Sequence, residues 1–244
     1  MDSELTKRQT DILELIVKEF IDTAEPVGSV NLFKKYDLSY SPATIRNEMQ
    51  ALSKAGFLKK PHSSGGRIPT SMGLRLYIDR MMKEQPLPVL QEVALKQRLY
   101  DKRYALEHML NQAVSALSEI TGYMSWACTD DGCMFKSGAV NILNHPEFYD
   151  IAATRETLQL ADDFDRMSAL FEKAKGDKDW HILLGEDMDL VSLENLGVLF
   201  IRFRSGNKGG VVALLGPARM KYGKAIPAVR YLRGLLEEMG TSWR

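Results

Sequence analysis

Residues 41–56 run Ser41-Pro42-Ala43-Thr44-Ile45-Arg46-Asn47-Glu48-Met49-Gln50-Ala51-Leu52-Ser53-Lys54-Ala55-Gly56, and both ends of a helix are written in them. Ser41 can accept hydrogen bonds from the first unpaired backbone N–H groups, and Pro42 suits the opening turn, where a missing N–H costs nothing. Gly56 can take the left-handed conformation just past the last turn. At about 100° per residue, Ile45, Met49 and Leu52 share one side, which predicts a buried stripe. The opposite side carries Ala43, Asn47, Gln50 and Lys54, with Thr44 and Arg46 on its flanks. Arginine meets guanine through two hydrogen bonds, Asn and Gln meet adenine in the same way, and Ala or a Thr methyl packs on thymine. That side is equipped for the major groove; simple solvation of an exposed helix is the alternative.

Upstream, the spacing of Ile12, Leu13, Ile16, Val17, Phe20 and Ile21 predicts a helix from Thr6 to about Thr23, and a second follows from Ser29 to Tyr36. Downstream, Phe57–Lys60 and Arg67–Pro69 read as two short strands joined across His62-Ser63-Ser64-Gly65-Gly66. Three helices and a hairpin make a winged helix-turn-helix arrangement. Lys59, Lys60, His62, Ser63, Ser64 and Arg67 then suit a wing lying along the sugar-phosphate backbone or in the minor groove, unless the loop is merely flexible. Thr70 can cap a further helix to about Glu84, and Pro86 and Pro88 mark a linker.

The total charge, 32 basic against 32 acidic residues, hides a separation of sign. Residues 28–83 hold ten basic side chains against only Asp37, Glu48 and Asp79. Such an excess within one candidate domain is an electrostatic footprint for phosphate, or else a solvated surface.

Residues 89–121 carry Leu95, Leu99, Leu106, Leu110, Leu117 and Ile120 on roughly one stripe, as two helices broken near Tyr100-Asp101 or as one dimer arm. Beyond them, Met124–Thr129 and Cys133–Lys136 flank the turn Asp130-Asp131-Gly132. Residues 147–176 read as mostly helical, His181–Leu184, Val198–Arg204 and Gly210–Leu215 as strands, and Ala225–Met239 as a last helix. Strands and helices do not alternate strictly, so the fold class is α+β rather than α/β. At 244 residues the expected organisation is a DNA-binding domain over 1–84, a helical linker over 85–122 and a regulatory domain over 123–244.

Several function classes drop out. No apolar run approaches the roughly 20 residues needed to span a bilayer, and Met-Asp-Ser-Glu-Leu is no basic start to a signal peptide, so no membrane partner and a cytoplasmic location are expected. Two cysteines, Cys128 and Cys133, exclude a disulfide framework and a four-cysteine zinc site. His62, His108, His145 and His181 are scattered, with no metalloprotease or nucleophile-elbow spacing, so no catalysis, cofactor or metal is expected. Arg219, in Gly216-Pro217-Ala218-Arg219-Met220, reads as an anion-binding charge or as part of a structural turn.

Three stretches carry a likeness: 25–29 (Glu-Pro-Val-Gly-Ser), 38–49 (Leu-Ser-Tyr-Ser-Pro-Ala-Thr-Ile-Arg-Asn-Glu-Met) and 60–70 (Lys-Pro-His-Ser-Ser-Gly-Gly-Arg-Ile-Pro-Thr). They resemble the winged-helix domain of the HrcA family of heat-inducible transcription repressors. Gly138-Ala139-Val140-Asn141-Ile142-Leu143 with Pro146-Glu147-Phe148, and 215–222 (Leu-Gly-Pro-Ala-Arg-Met-Lys-Tyr), resemble signature stretches of that family's second half. The resemblance implies a homodimer that binds an inverted-repeat operator, the CIRCE element, as double-stranded DNA upstream of chaperone genes and is kept active by the GroEL chaperonin. It also implies a GAF-like second domain. Only about sixteen residues separate Thr121 from Gly138, where the family carries an inserted dimerisation domain roughly a hundred residues long. The expectation is a reduced GAF-like domain in which the hairpin Met124–Lys136 replaces the missing part. Leu99, Leu106, Leu110 and Leu117 would then supply either dimer packing or an internal core. An alternative keeps the DNA-binding domain but puts it under a small-molecule or redox signal.

Overall fold

The computed structural model describes residues 5–61, 65–174, 178–188 and 193–240. The chain divides into two compact units, Met1–Lys83 and Glu84–Arg244.

The first unit contains α1 (Lys7–Thr23), α2 (Ser29–Tyr36), α3 (Pro42–Lys54), strands β1 (Leu58–Lys59) and β2 (Ile68–Pro69), and α4 (Ser71–Arg80). Thr6 starts α1 through a reciprocal cap: its hydroxyl accepts from the Gln9 N–H at 3.2 Å, and the Gln9 side chain accepts from the Thr6 N–H at 3.1 Å. Ile12, Leu13, Ile16 and Val17 are wholly buried, and α1 packs on α3, α4 and β2. Each such side chain contributes about 1.5–3 kcal/mol of burial. β1 and β2 pair antiparallel, Leu58 with Pro69 and Lys59 with Ile68. Val27 joins them, exchanging two backbone hydrogen bonds of 2.9 Å with Arg67. This strand-like bridge explains Gly66, where a Cβ would sit 2.8 Å from the Pro26 backbone.

The second unit contains α5 (Val89–Tyr100), α6 (Leu106–Thr121), β3 (Met124–Thr129), β4 (Met134–Ser137), two 3-10 turns (Ala139–Asn144 and Pro146–Phe148), α7 (Ile151–Asp162), α8 (Phe164–Glu172), β5 (Trp180–Leu184), a third 3-10 turn (Gly185–Met188), β6 (Leu196–Ser205), β7 (Lys208–Pro217) and α9 (Tyr222–Gly240). Five strands form one antiparallel sheet in the order β4-β3-β7-β6-β5. The fold is therefore mixed α+β. One face of the sheet, with Met124, Trp126, Phe200, Ala213 and Leu215, packs on Leu160, Ala161, Met167, Leu170 and Phe171 of α7 and α8. The Trp126 indole N–H donates to the Ala161 carbonyl at 3.1 Å. The alternate residues face the other way, where α6 and α9 cover the sheet.

The expected hairpin Met124–Lys136 is part of the sheet itself: β3 lies between β4 and β7, paired with β7 from Met124–Leu215 to Thr129–Gly210, and all six of its residues are buried. One expectation is corrected here: 85–122 is not a linker but part of the second unit. The helical break falls at 101–105, and α5 and α6 pack on each other and on α9. Leu99, Leu106, Leu110 and Leu117 are buried in this unit, the internal core of the two alternatives. Even the proline-bearing start is docked. Pro227 lies inside α9 and has no N–H for the Gly223 carbonyl four residues back. The Gln85 N–H takes that carbonyl at 2.8 Å, Arg230 grips Glu84 through two nitrogens at 2.5 and 3.1 Å, and Leu87 is buried.

Candidate nucleic-acid interface

Helix α3 is held from its ends and from behind. The Ser41 hydroxyl accepts from the Thr44 N–H at 3.1 Å, and the two hydroxyls lie 3.0 Å apart. Gly56, at φ +85°, turns the chain out of the helix. Ile45, Met49 and Leu52 are buried against α1 and α2. The single carboxylate of α3, Glu48, is turned inward: it takes the Arg8 guanidinium at 2.6 Å and the Gln9 amide at 3.1 Å. Arg8 also lies over the Tyr40 ring. This brace between α1 and α3 was not read from the sequence, because no local spacing links residues 8 and 48.

The side of α3 away from this core exposes Ala43, Arg46, Asn47, Gln50 and Lys54. Lys59 and Lys60 are exposed on and just after β1. Among the described residues, Arg46, Lys54, Lys59 and Lys60 enter no ion pair, whereas Glu14 and Glu19 of α1 are engaged by Lys18 and Lys35, each at 2.6 Å. Hydrogen bonding to Lys35 holds the Glu19 carboxyl below its ordinary range. A surface of unpaired cations and side-chain amides around one helix offers charge for phosphate and bidentate donors and acceptors for base edges.

Two of the sequence-selected residues sit differently. Thr44 is half-buried and its hydroxyl belongs to the Ser41 cap. Arg67 is half-buried, its Nε donating to the Ser53 hydroxyl at 3.1 Å and one terminal nitrogen to the Gly66 carbonyl at 3.2 Å. It pins β2 to α3. His62, Ser63 and Ser64 lie outside the described residues.

In the second unit, the stretches 138–148 and 215–222 meet. Arg219 binds Glu147 through two nitrogens at 2.5 and 3.1 Å, with the two side chains only 10% and 14% exposed. Arg219 is therefore part of a structural turn and not an open anion site. The Tyr123 ring stacks on His145 with centroids 5.5 Å apart, and its hydroxyl accepts from the Lys221 N–H at 2.8 Å. Burial, then the Arg219 charge, lowers the His145 pKa below the ordinary histidine value. Asn141 ties the same turn to Ser118 and to the Tyr123 carbonyl. Gly138, at φ +72°, fits because a Cβ there would overlap Ser118. Among the described residues, no three His, Cys, Asp or Glu side chains form a metal cluster, and no helix is long and apolar enough to cross a membrane.

Comparison with known proteins bears on both units. A family model described as the HrcA protein C terminal domain matches residues 72–226. A heat-inducible transcription repressor HrcA of Synechococcus elongatus is 38% identical over 72% of this chain and 49% of its own length; one of Shouchella clausii is 43% identical over 50% of this chain and 35% of its own. The HrcA of Acetivibrio thermocellus aligns over 336 positions at 25% identity, covering 96% of each chain, so it carries a long segment that this chain lacks. A crystal structure of a hypothetical protein at 2.2 Å resolution shares the fold, with a TM-score of 0.79 and 19% identity over 98% of this chain and 99% of its own. These likenesses place the chain among transcription regulators of the stress response. It belongs to the HrcA family.

Proposed function

We propose that this chain is a sequence-specific repressor of heat-shock genes that reads an inverted-repeat, CIRCE-type operator as a dimer. The observation that carries the reading is the outer side of α3, where Arg46, Asn47 and Gln50 are exposed opposite a buried Ile45, Met49 and Leu52. In this reading the first unit is a winged helix-turn-helix. Helix α3 enters the major groove, and Arg46, Asn47 and Gln50 read base edges while the Thr44 methyl packs on thymine. Lys54, Lys59 and Lys60 meet phosphates, and His62, Ser63 and Ser64 serve as the wing. Arg67 holds the wing's register. The names of the relatives, heat-inducible transcription repressors, support the physiological role. The second unit is then a GAF-like domain, and the GroEL chaperonin is the partner that keeps the repressor active.

Fluorescence anisotropy against an inverted repeat and a scrambled duplex, over a range of salt concentrations, tests the reading. The inverted repeat should bind at least ten times tighter, and both affinities should fall steeply with salt. Equal affinity at moderate salt would refute sequence-specific repression. Added chaperonin should raise the fraction of operator-competent protein; no change would remove that partner.

A second reading, control by a small molecule, is favoured by a cleft of about 360 Å³ lined by Gln85, Gln91, Thr121, Tyr123, Lys221 and Lys224, among others. Native mass spectrometry showing an added mass supports it. A redox signal gains nothing from Cys128, which is buried and whose thiol burial pushes up to about 11, far from the reactive thiolate.

A further inference from the structure

Helix α5 buries Leu95 and Leu99 on the side where α6 and α9 pack, yet its opposite side is apolar as well. Leu90, Val93 and Tyr100 stand 85%, 58% and 51% exposed, and Tyr104, just past the helix, 74%. At about 100° per residue, Leu90, Val93, Gln97 and Tyr100 fall within roughly 80° of one another, centred opposite the Leu95–Leu99 stripe. Their steps are three, four and three residues, the spacing with which one helix interlocks with another. A helix that is docked by one apolar side and still carries an apolar stripe on the other offers that stripe as a contact surface. Together these side chains expose several hundred Å², the size of patch that marks an interaction site on a soluble protein.

We propose that this stripe is the contact between two copies of the chain, α5 packed along α5 in the same direction about a twofold axis. The proposal deepens the operator reading and rests on it for the expectation of a symmetric partner. The identity of the occupant comes from the stripe itself. Gln97 is its one polar member; its amide is donor and acceptor at once and can therefore bond to its own copy, the role a single polar seam residue plays in setting register. Lys96, engaged by Glu238 of its own chain at 3.0 Å, and Asp101 lie on opposite edges of the stripe, so helices aligned in the same direction bring Asp101 of each copy toward that pair in the other. At the end of the stripe the Arg103 guanidinium is held over the Tyr100 and Tyr104 rings, 3.7 and 4.2 Å from their centroids, which keeps its charge on an aromatic shelf beside the seam. A twofold contact uses every one of these residues of the 12-residue helix twice. The buried leucines Leu99, Leu106, Leu110 and Leu117 play no part in it.

Sedimentation velocity of the whole chain from about 1 to 100 µM tests the proposal. The parent chain should pass from monomer to dimer with concentration. Val93→Glu and Leu90→Glu, which would bury two unpaired carboxylates per dimer, should each weaken association about 100-fold or more with unchanged circular dichroism. Ile151→Glu, at an exposed apolar residue outside the stripe, should leave association unchanged. In a Cys133→Ser background, Val93→Cys should form an intermolecular disulfide under mild oxidation, because parallel packing sets this position against its own copy. A parent chain that stays monomeric at 100 µM, or dimers that survive Val93→Glu and dissociate with Ile151→Glu, would overturn the proposal. Binding to a single half-site separates its failure from that of the repressor reading. A monomeric Val93→Glu chain that keeps its half-site preference supports both, whereas an α5 dimer with no preference for any duplex sustains the interface and removes the repressor.

Discussion

Replacing Arg219 by Met should destabilise the second unit far more than cutting any exposed ion pair. The Arg219–Glu147 pair is bidentate, at 2.5 and 3.1 Å, and both side chains are almost buried. Unit charges about 3 Å apart attract by roughly 5 kcal/mol at an effective dielectric of about 20, and desolvation of both groups offsets much of this in the intact pair. Removing one partner forfeits the attraction but leaves the Glu147 carboxylate desolvated, so Arg219→Met should cost about 3 kcal/mol. Adding Glu147→Leu removes the stranded charge and should restore most of the loss, giving a coupling energy of at least about 2 kcal/mol between the two sites. Lys96→Met breaks a pair whose members are 50% and 61% exposed and should change nothing measurable. Urea titration followed by the fluorescence of Trp126 and Trp180, both in the second unit, is the assay. An Arg219→Met loss no larger than that of Lys96→Met, or a double variant no more stable than Arg219→Met alone, would refute the argument that a buried pair joins the two stretches.

Arg46→Ala should relax preference at one operator base pair by about 1–3 kcal/mol, whereas Lys60→Ala should weaken all duplexes alike and lower the salt slope by about one; the same anisotropy titrations read both, and a matching loss of preference from each contradicts the division of roles. The His145 pKa is lowered in the folded state, so above its unfolded value of about 6.5 the imidazole is neutral folded or unfolded and its contribution to stability is complete. As pH falls below about 6.5 the unfolded chain takes the proton first and stability declines toward the folded pKa; thermal melts of His145→Gln should show a shallower decline in that window, and an unchanged one would sink the assignment. Gly138→Ala meets both a positive φ and the Ser118 side chain and should cost about 2 kcal/mol or more, while Gly122→Ala, at φ +72° with open space around it, should cost about 1 kcal/mol; equal losses in urea titrations would contradict the close approach. Ser41→Ala should cost about 1 kcal/mol of first-unit stability through the lost cap, read by far-ultraviolet circular dichroism.

Local chemistry made much of the first unit legible. A cap, a proline and a terminal glycine bounded α3 to within a residue, and its 3.6-residue period separated Ile45, Met49 and Leu52 from Arg46, Asn47 and Gln50. The same signals placed α1 and α2, and an Asp-Gly turn marked the β3–β4 hairpin. The candidate interface was legible for the same reason, since the residues that read a groove from one helix are set by that helix alone. The Thr44 hydroxyl and the Arg67 guanidinium are less legible, because their partners, Ser41 and Ser53, decide where each points.

By itself, then, the sequence determined the order of elements, the α+β class and the outward side of α3, all products of interactions spanning a few residues. Tertiary structure decided which surfaces remain open. Periodicity marked Leu99, Leu106, Leu110 and Leu117 as apolar, yet an apolar stripe packs equally well on its own chain or on another, and only the closeness of α6 and α9 consumed it. The same closeness left Leu90, Val93 and Tyr100 outside. Arg219 found Glu147 across 72 residues, and the Gly223 carbonyl freed by Pro227 found Gln85 across a still longer separation. Such pairings depend on how distant segments close in space, which no short-range propensity encodes.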